Sequence, residues 1–191
     1  VKKVIALLLI VCTLLPTLAL AEAWQPFGIA AEDDYQTAAD KLVAAMKGQN
    51  PQVHSNYVDI KPSGLTLNGV TIKEITLNRP GSLSNPDAPW RLLFIADLMT
   101  QIDNMAPVYS IYKGMLTWQG EPVEVSPMIK KMTFDGVEER SPFDTEAGFR
   151  LAVLRASAGT TFRAKFDTCE LDVYIYSDSG VGVHVILDQK K

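Results

Sequence analysis

Apolar residues recur at helical spacing early in the chain. Tyr35, Ala38, Leu42, Ala45 and Met46 form one stripe and predict an amphipathic helix. Glu32, Asp33 and Asp34 stand at its start, where carboxylates complement exposed backbone N–H groups. Gly48 is placed to end it in a left-handed cap. From Val53 to Leu77 the period falls to two, which predicts strands. Asn68-Gly69 is a hairpin turn that pairs Leu67 with Val70, Thr66 with Thr71 and Leu65 with Ile72. Farther out, Val58 and Ile60 match Ile75 and Leu77 on the opposite phase. The change of face calls for a bulge or twist near Pro62-Ser63-Gly64.

Residues 79–89 hold three prolines and one glycine and read as a loop. The run 90–105 exceeds ordinary strand length, so Ile95, Leu98, Met99, Ile102 and Met105 predict a helix closed by Pro107. Trp90, Leu92 and Phe94 fit a strand as well. Most of the remainder reads as strand: Tyr109–Trp118, Val123 with Val125, and Phe162, Ala164 and Phe166. Asp135-Gly136 marks another hairpin. Residues 145–157 fit a strand through Phe149, Leu151 and Val153, or a helix. Finally, Cys169, Leu171, Val173 and Ile175 face Val181, Val183, Val185 and Leu187. Matching those faces requires an odd loop, taken as Asp178-Ser179-Gly180, with Ser177 opposite Val181 and Val173 opposite Val185. These elements predict a single α+β domain with a mostly antiparallel sheet and one to three helices.

The start of the chain changes the picture of where this domain works. Lys2 and Lys3 precede an apolar run from Val4 to Leu15, Pro16 breaks it, and Ala19-Leu20-Ala21 offers a small-x-small cleavage site. Residues 1–21 are therefore expected to be a cleavable signal peptide and 22–191 the domain, with Ala21-Glu22-Ala23 a second cleavage register. The run is shorter than the ~20 apolar residues of a spanning helix, so no transmembrane span is expected after cleavage. Val1 fits a literal reading of a GUG start, which suggests a bacterial protein, periplasmic or secreted.

The full chain has 191 residues and a net charge of −4. The predicted signal carries two lysines and no acid, so cleavage after Ala21 moves the net charge to −6. That balance, with scattered basic residues, argues against nucleic acid as a partner. Cleavage leaves Cys169 as the one cysteine, which excludes an internal disulfide and paired-cysteine zinc or redox motifs.

Motifs for nucleotide loops, serine nucleophiles, calcium loops and metal ligation are absent, so no metal and no cofactor are expected. Cys169 lies on the apolar face of its strand and His184 on the polar face of the next, which makes a Cys–His dyad geometrically poor. The expected hairpin register places Tyr174 opposite His184 and Asp172 diagonal to it. His184, Asp172 and Tyr174 are thus the catalytic candidates, since a carboxylate can orient an imidazole for proton transfer. Trp90, Trp118, Met99 and Met115 are the ligand-binding candidates, because aromatic and thioether side chains adapt to apolar ligands.

The preferred expectation is a non-enzymatic exported envelope protein that binds an amphiphilic ligand, with a lipid or an envelope protein as partner. The alternatives are a small periplasmic hydrolase using His184 with Asp172, and a structural envelope component acting through a sheet edge. The sequence leaves the oligomeric state open.

Overall fold

A computed structural model describes residues 26–79, 89–98, 104–176 and 180–190. The predicted signal peptide, most of the proline-rich loop and Met99 lie outside these residues. After a short 3-10 turn at Pro26–Gly28, helix α1 spans Tyr35–Ala45. Asp34 caps it, its Oδ1 accepting from the Thr37 N–H at 2.7 Å. Tyr35, Ala38, Leu42 and Met46 are buried as the stripe predicts, but Ala39 rather than Ala45 completes it.

The strands then follow: β1 (Gln52–Val53), β2 (Tyr57–Ile60), β3 (Thr66–Leu67), β4 (Val70–Thr71), β5 (Glu74–Asn78) and β6 (Arg91–Asp97). Helix α2 spans Ala106–Gln119. Next come β7 (Glu124–Ser126), β8 (Ile129–Thr133), β9 (Gly136–Arg140), helix α3 (Glu146–Arg155), β10 (Thr161–Lys165), β11 (Cys169–Ile175) and β12 (Val181–Asp188). Eight strands form one sheet in the order β1-β2-β5-β6-β12-β11-β10-β7, with every neighbour antiparallel. Strands β3-β4 and β8-β9 form separate ribbons. The result is a single α+β domain with three α-helices, as the sequence predicts.

The core is written across the ladder. Ile60, Ile75, Phe94, Val185, Leu171 and Ala164 stand in one cross-strand row on the buried face. The three helices pack their apolar stripes against that face in one continuous cluster. Aromatic rings tie it to the helices: Tyr112 of α2 stacks on Phe143 at 4.8 Å, and Phe143 on Phe149 of α3 at 4.9 Å. Trp90 is buried beside the start of α1, its indole N–H donating to the Asp33 carbonyl at 2.7 Å. Gln189 also donates to that carbonyl, and its backbone N–H donates to the Trp90 carbonyl, so the chain end is laced to the first helix.

Four expectations need correction. The helix expected over 90–105 is strand β6 through Asp97. Its outward residues Leu93 and Ile95 are apolar and half-buried, which hides the period of two in a central strand. The strand expected over Tyr109–Trp118 is helix α2. Pro107 opens that helix in its first turn, where a missing N–H costs nothing, instead of closing an earlier one. Val108, Ile111, Tyr112 and Met115 bury its inner face.

The strand reading of residues 145–157 also fails, and its helix alternative holds. Thr145 caps α3 by accepting from the Gly148 N–H, and Phe149 and Val153 are buried while Leu151 is exposed. The register of the last hairpin slips by one position on each strand, and Asp178-Ser179 of the expected loop lies outside the described residues. Ile175 opposes Val181, Val173 opposes Val183, and the Tyr176 N–H donates to the Gly180 carbonyl. Gly182 admits this arrangement, because a Cβ there would collide with the Tyr176 ring. The expected pairings around Asn68-Gly69 and between Val58, Ile60, Leu77 and Ile75 are all formed, with the sheet broken at Lys61–Gly64.

Candidate functional site

Two places gather polar groups. The first is on the outer face of the sheet, where Glu74, Ile95, His184, Asp172, Arg163 and Ser126 form a cross-strand row. The corrected register makes Asp172, not Tyr174, the residue directly opposite His184. Asp172 is only 1% exposed. Arg163 grips it with two donors, Nε to Oδ1 at 2.8 Å and Nη2 to Oδ2 at 2.9 Å. The Tyr174 hydroxyl donates to Oδ2 at 2.9 Å. Glu170 Oε1 approaches the same Arg163 Nε at 2.8 Å.

The electrostatics follow from this packing. Burial alone would push Asp172 up, but hydrogen bonds from Arg163 and Tyr174 outweigh it and hold the carboxylate below its ordinary range. Glu170 is pushed up, first by burial and then by the charge of Asp172. Burial, followed by the bond to Asp172, raises Tyr174 to about 12. Burial lowers His184, with the opposing pull of Asp172 weaker, and its ring lies 4.6 Å from that of Tyr174. The three catalytic candidates are therefore brought together. Both Asp172 oxygens, however, serve Arg163 and Tyr174, so the carboxylate fixes a guanidinium and a phenol. This arrangement is an ion-pair network in which one guanidinium is shared by two carboxylates, Asp172 holding it through both oxygens.

The second place is a cleft of about 560 Å³ between α3 and the base of the β8-β9 ribbon. It falls within the range of small-molecule sites, roughly 300–1,000 Å³. One face of α3 forms a wall with Gly148, Leu151, Ala152 and Arg155, repeating every three or four residues. Pro127, Ile129, Lys130 and Arg140 contribute the ribbon side, and Phe162 lies in the lining as the buried end of the core. Leu151 is 46% exposed here, beside the exposed Leu154 of the same helix. Three cations, Lys130, Arg140 and Arg155, line the cleft with one carboxylate, Asp144. Arg140 pairs with Glu138 at 2.9 Å.

The four ligand-binding candidates lie outside the cleft lining. Trp90 and Met115 are core residues, Trp118 is partly buried against the core, and Met99 lies outside the described residues. The cleft residues had a legible signal that the sequence reading passed over. As a helix, 146–155 buries only Phe149 and Val153, which leaves Leu151 and Leu154 as surplus apolar residues. Cys169 is buried on the core face, which pushes its thiol up to about 12 and leaves it unreactive. His54 stacks on Tyr57 at 4.0 Å.

Among the described residues no three His, Cys, Asp or Glu side chains are grouped to hold a metal ion. No described helix is long and apolar enough to cross a membrane. Comparison with protein families, with characterised proteins and with solved structures finds no match for this chain.

Proposed function

We propose that this chain is a non-enzymatic binding protein of the cell envelope that holds an amphiphilic ligand in the cleft beside α3. The observation that carries the reading is the cleft itself, a mainly apolar trough of about 560 Å³ with cationic side chains in its lining. Apolar walls with a few placed polar groups are the usual composition of a small-molecule site. Support for export comes from Lys2, Lys3, the apolar run Val4–Leu15 and Ala19-Leu20-Ala21. The binding reading is preferred to hydrolysis because Asp172 is engaged by Arg163 and Tyr174. It is preferred to assembly through a sheet edge because the edge strands β1 and β7 have two and three residues, a short template for strand addition.

Native mass spectrometry of the protein purified from its own host tests the reading. The expected result is a bound amphiphile that is released on organic extraction. A bare protein that also takes up no tetradecanoate or tetradecanoyl glycerol ester in solution overturns it.

A further inference from the structure

The shape and charge of the cleft narrow the ligand class, granted the binding reading above. Helix α3 has ten residues, so the face that lines the cleft runs about 15 Å. Thr145, Gly148, Leu151, Ala152 and Arg155 follow one another along it. A trough of this form suits an extended chain better than a compact ring system. A methylene occupies about the share of liquid volume that a water molecule does, roughly 30 Å³. About 560 Å³ is about nineteen such volumes, which is room for one chain, and the second chain of a phospholipid exceeds it.

The charges around the trough are unbalanced. Of its three cations, Arg140 already pairs with Glu138. Lys130 lies opposite Glu139 in the ribbon ladder, yet neither Lys130 nor Arg155 forms an ion pair among the described residues. The sole carboxylate of the lining, Asp144, leaves an excess of positive charge. A cation beside an apolar wall attracts an anion more strongly than it would in open water, because the ligand's chain displaces solvent.

We propose that the occupant is a free single-chain amphiphile with an anionic head. Its chain lies along α3 over Leu151, Ala152 and Phe162, and its head meets Arg155 and Lys130. Arg155 supplies a planar pair of donors that suits a carboxylate or a phosphate monoester, and Lys130 adds a point charge.

Calorimetric titration of the full chain with three ligands of equal chain length tests this: tetradecanoate, the tetradecanoyl glycerol monoester and tetradecyltrimethylammonium. The carboxylate is expected to bind about tenfold tighter than the neutral ester, with the cation weakest. Arg155→Gln with Lys130→Gln is expected to bring tetradecanoate down to the affinity of the ester. The exchange Arg155→Lys with Lys130→Arg keeps most of the preference. Equal binding of ester and carboxylate overturns the anionic head while the cleft reading stands. Failure of all three ligands overturns the cleft reading instead. Uptake of the chain only from intact phosphatidylglycerol vesicles, with no binding of monomeric tetradecanoate, overturns the free-ligand source.

Discussion

On the outer face of the sheet, Arg163 and Tyr174 engage the Asp172 carboxylate, with the Arg163–Asp172 bonds at 2.8 and 2.9 Å and Glu170 sharing the guanidinium. Beside α3, Lys130 and Arg155 border an apolar trough without an ion pair among the described residues. The first region looks like chemistry in the sequence, because it joins a histidine, a carboxylate and a tyrosine on neighbouring strands. Its geometry is that of structure: a buried carboxylate is tolerable only when paired, and the pairing occupies it. The second region looks ordinary in the sequence and is the better candidate, because Lys130, Arg155 and the apolar surface of α3 have no partner among the described residues.

Substitutions can separate the two roles. The largest effect is expected from Trp90→Ala, which empties a core position and removes the indole bond to Asp33. It should cost about 3–5 kcal/mol in urea unfolding. The folded fraction should keep its affinity for tetradecanoate, since Trp90 is not part of the cleft lining. Arg163→Ala leaves the Asp172 carboxylate buried without its guanidinium. A loss of about 2–3 kcal/mol is expected, below the range for fully buried pairs because Arg163 is partly exposed. If Arg163→Ala left stability intact and abolished ligand binding, the roles assigned to the two regions would be reversed.

Smaller effects sharpen the contrast. Leu151→Ala removes a half-exposed side chain, so unfolding free energy should change by no more than about 0.5 kcal/mol. Affinity for tetradecanoate should nonetheless fall several-fold, read by calorimetry. The smallest effect concerns pH. Burial lowers His184 from its ordinary value near 6.5, so the unfolded chain takes up the proton first as pH falls. The stability due to neutral His184 is complete above pH 6.5 and is lost as pH drops through the lowered folded value. His184→Asn should flatten the stability profile over that window. An unchanged slope would remove the imidazole from the account.

Local signals made much of the fold legible. Asn68-Gly69 fixed its own ribbon, and Asp34 and the Tyr35–Met46 stripe announced α1. Alternation identified the inward faces of β10, β11 and β12. Elements with apolar residues on both faces were harder to read. In β6, Leu93 and Ile95 on the outer side blur alternation with helical spacing, and only the neighbours β5 and β12 decide between them. In α2, β-branched and aromatic residues such as Val108, Tyr109, Ile111 and Tyr112 favour strand locally, and packing overrides that preference. The hairpin after β11 was ambiguous because residues 177–180 offer two odd loops that put the same residues on the apolar face. The outer-face cluster was visible as residue types, but Arg163, its dominant partner, comes from β10 and was not connected to it. The cleft required knowing that 146–155 is helical and that the β8-β9 ribbon stands beside it.

The most direct test of the division between the ion-pair network and the open cleft is an amide NMR titration of the full chain with tetradecanoate. Shifts are expected at Gly148, Leu151, Ala152, Arg155, Ile129 and Lys130, with Asp172, Tyr174 and His184 unmoved. Saturable shifts centred on Asp172, Tyr174 and His184, with α3 silent, would contradict the account.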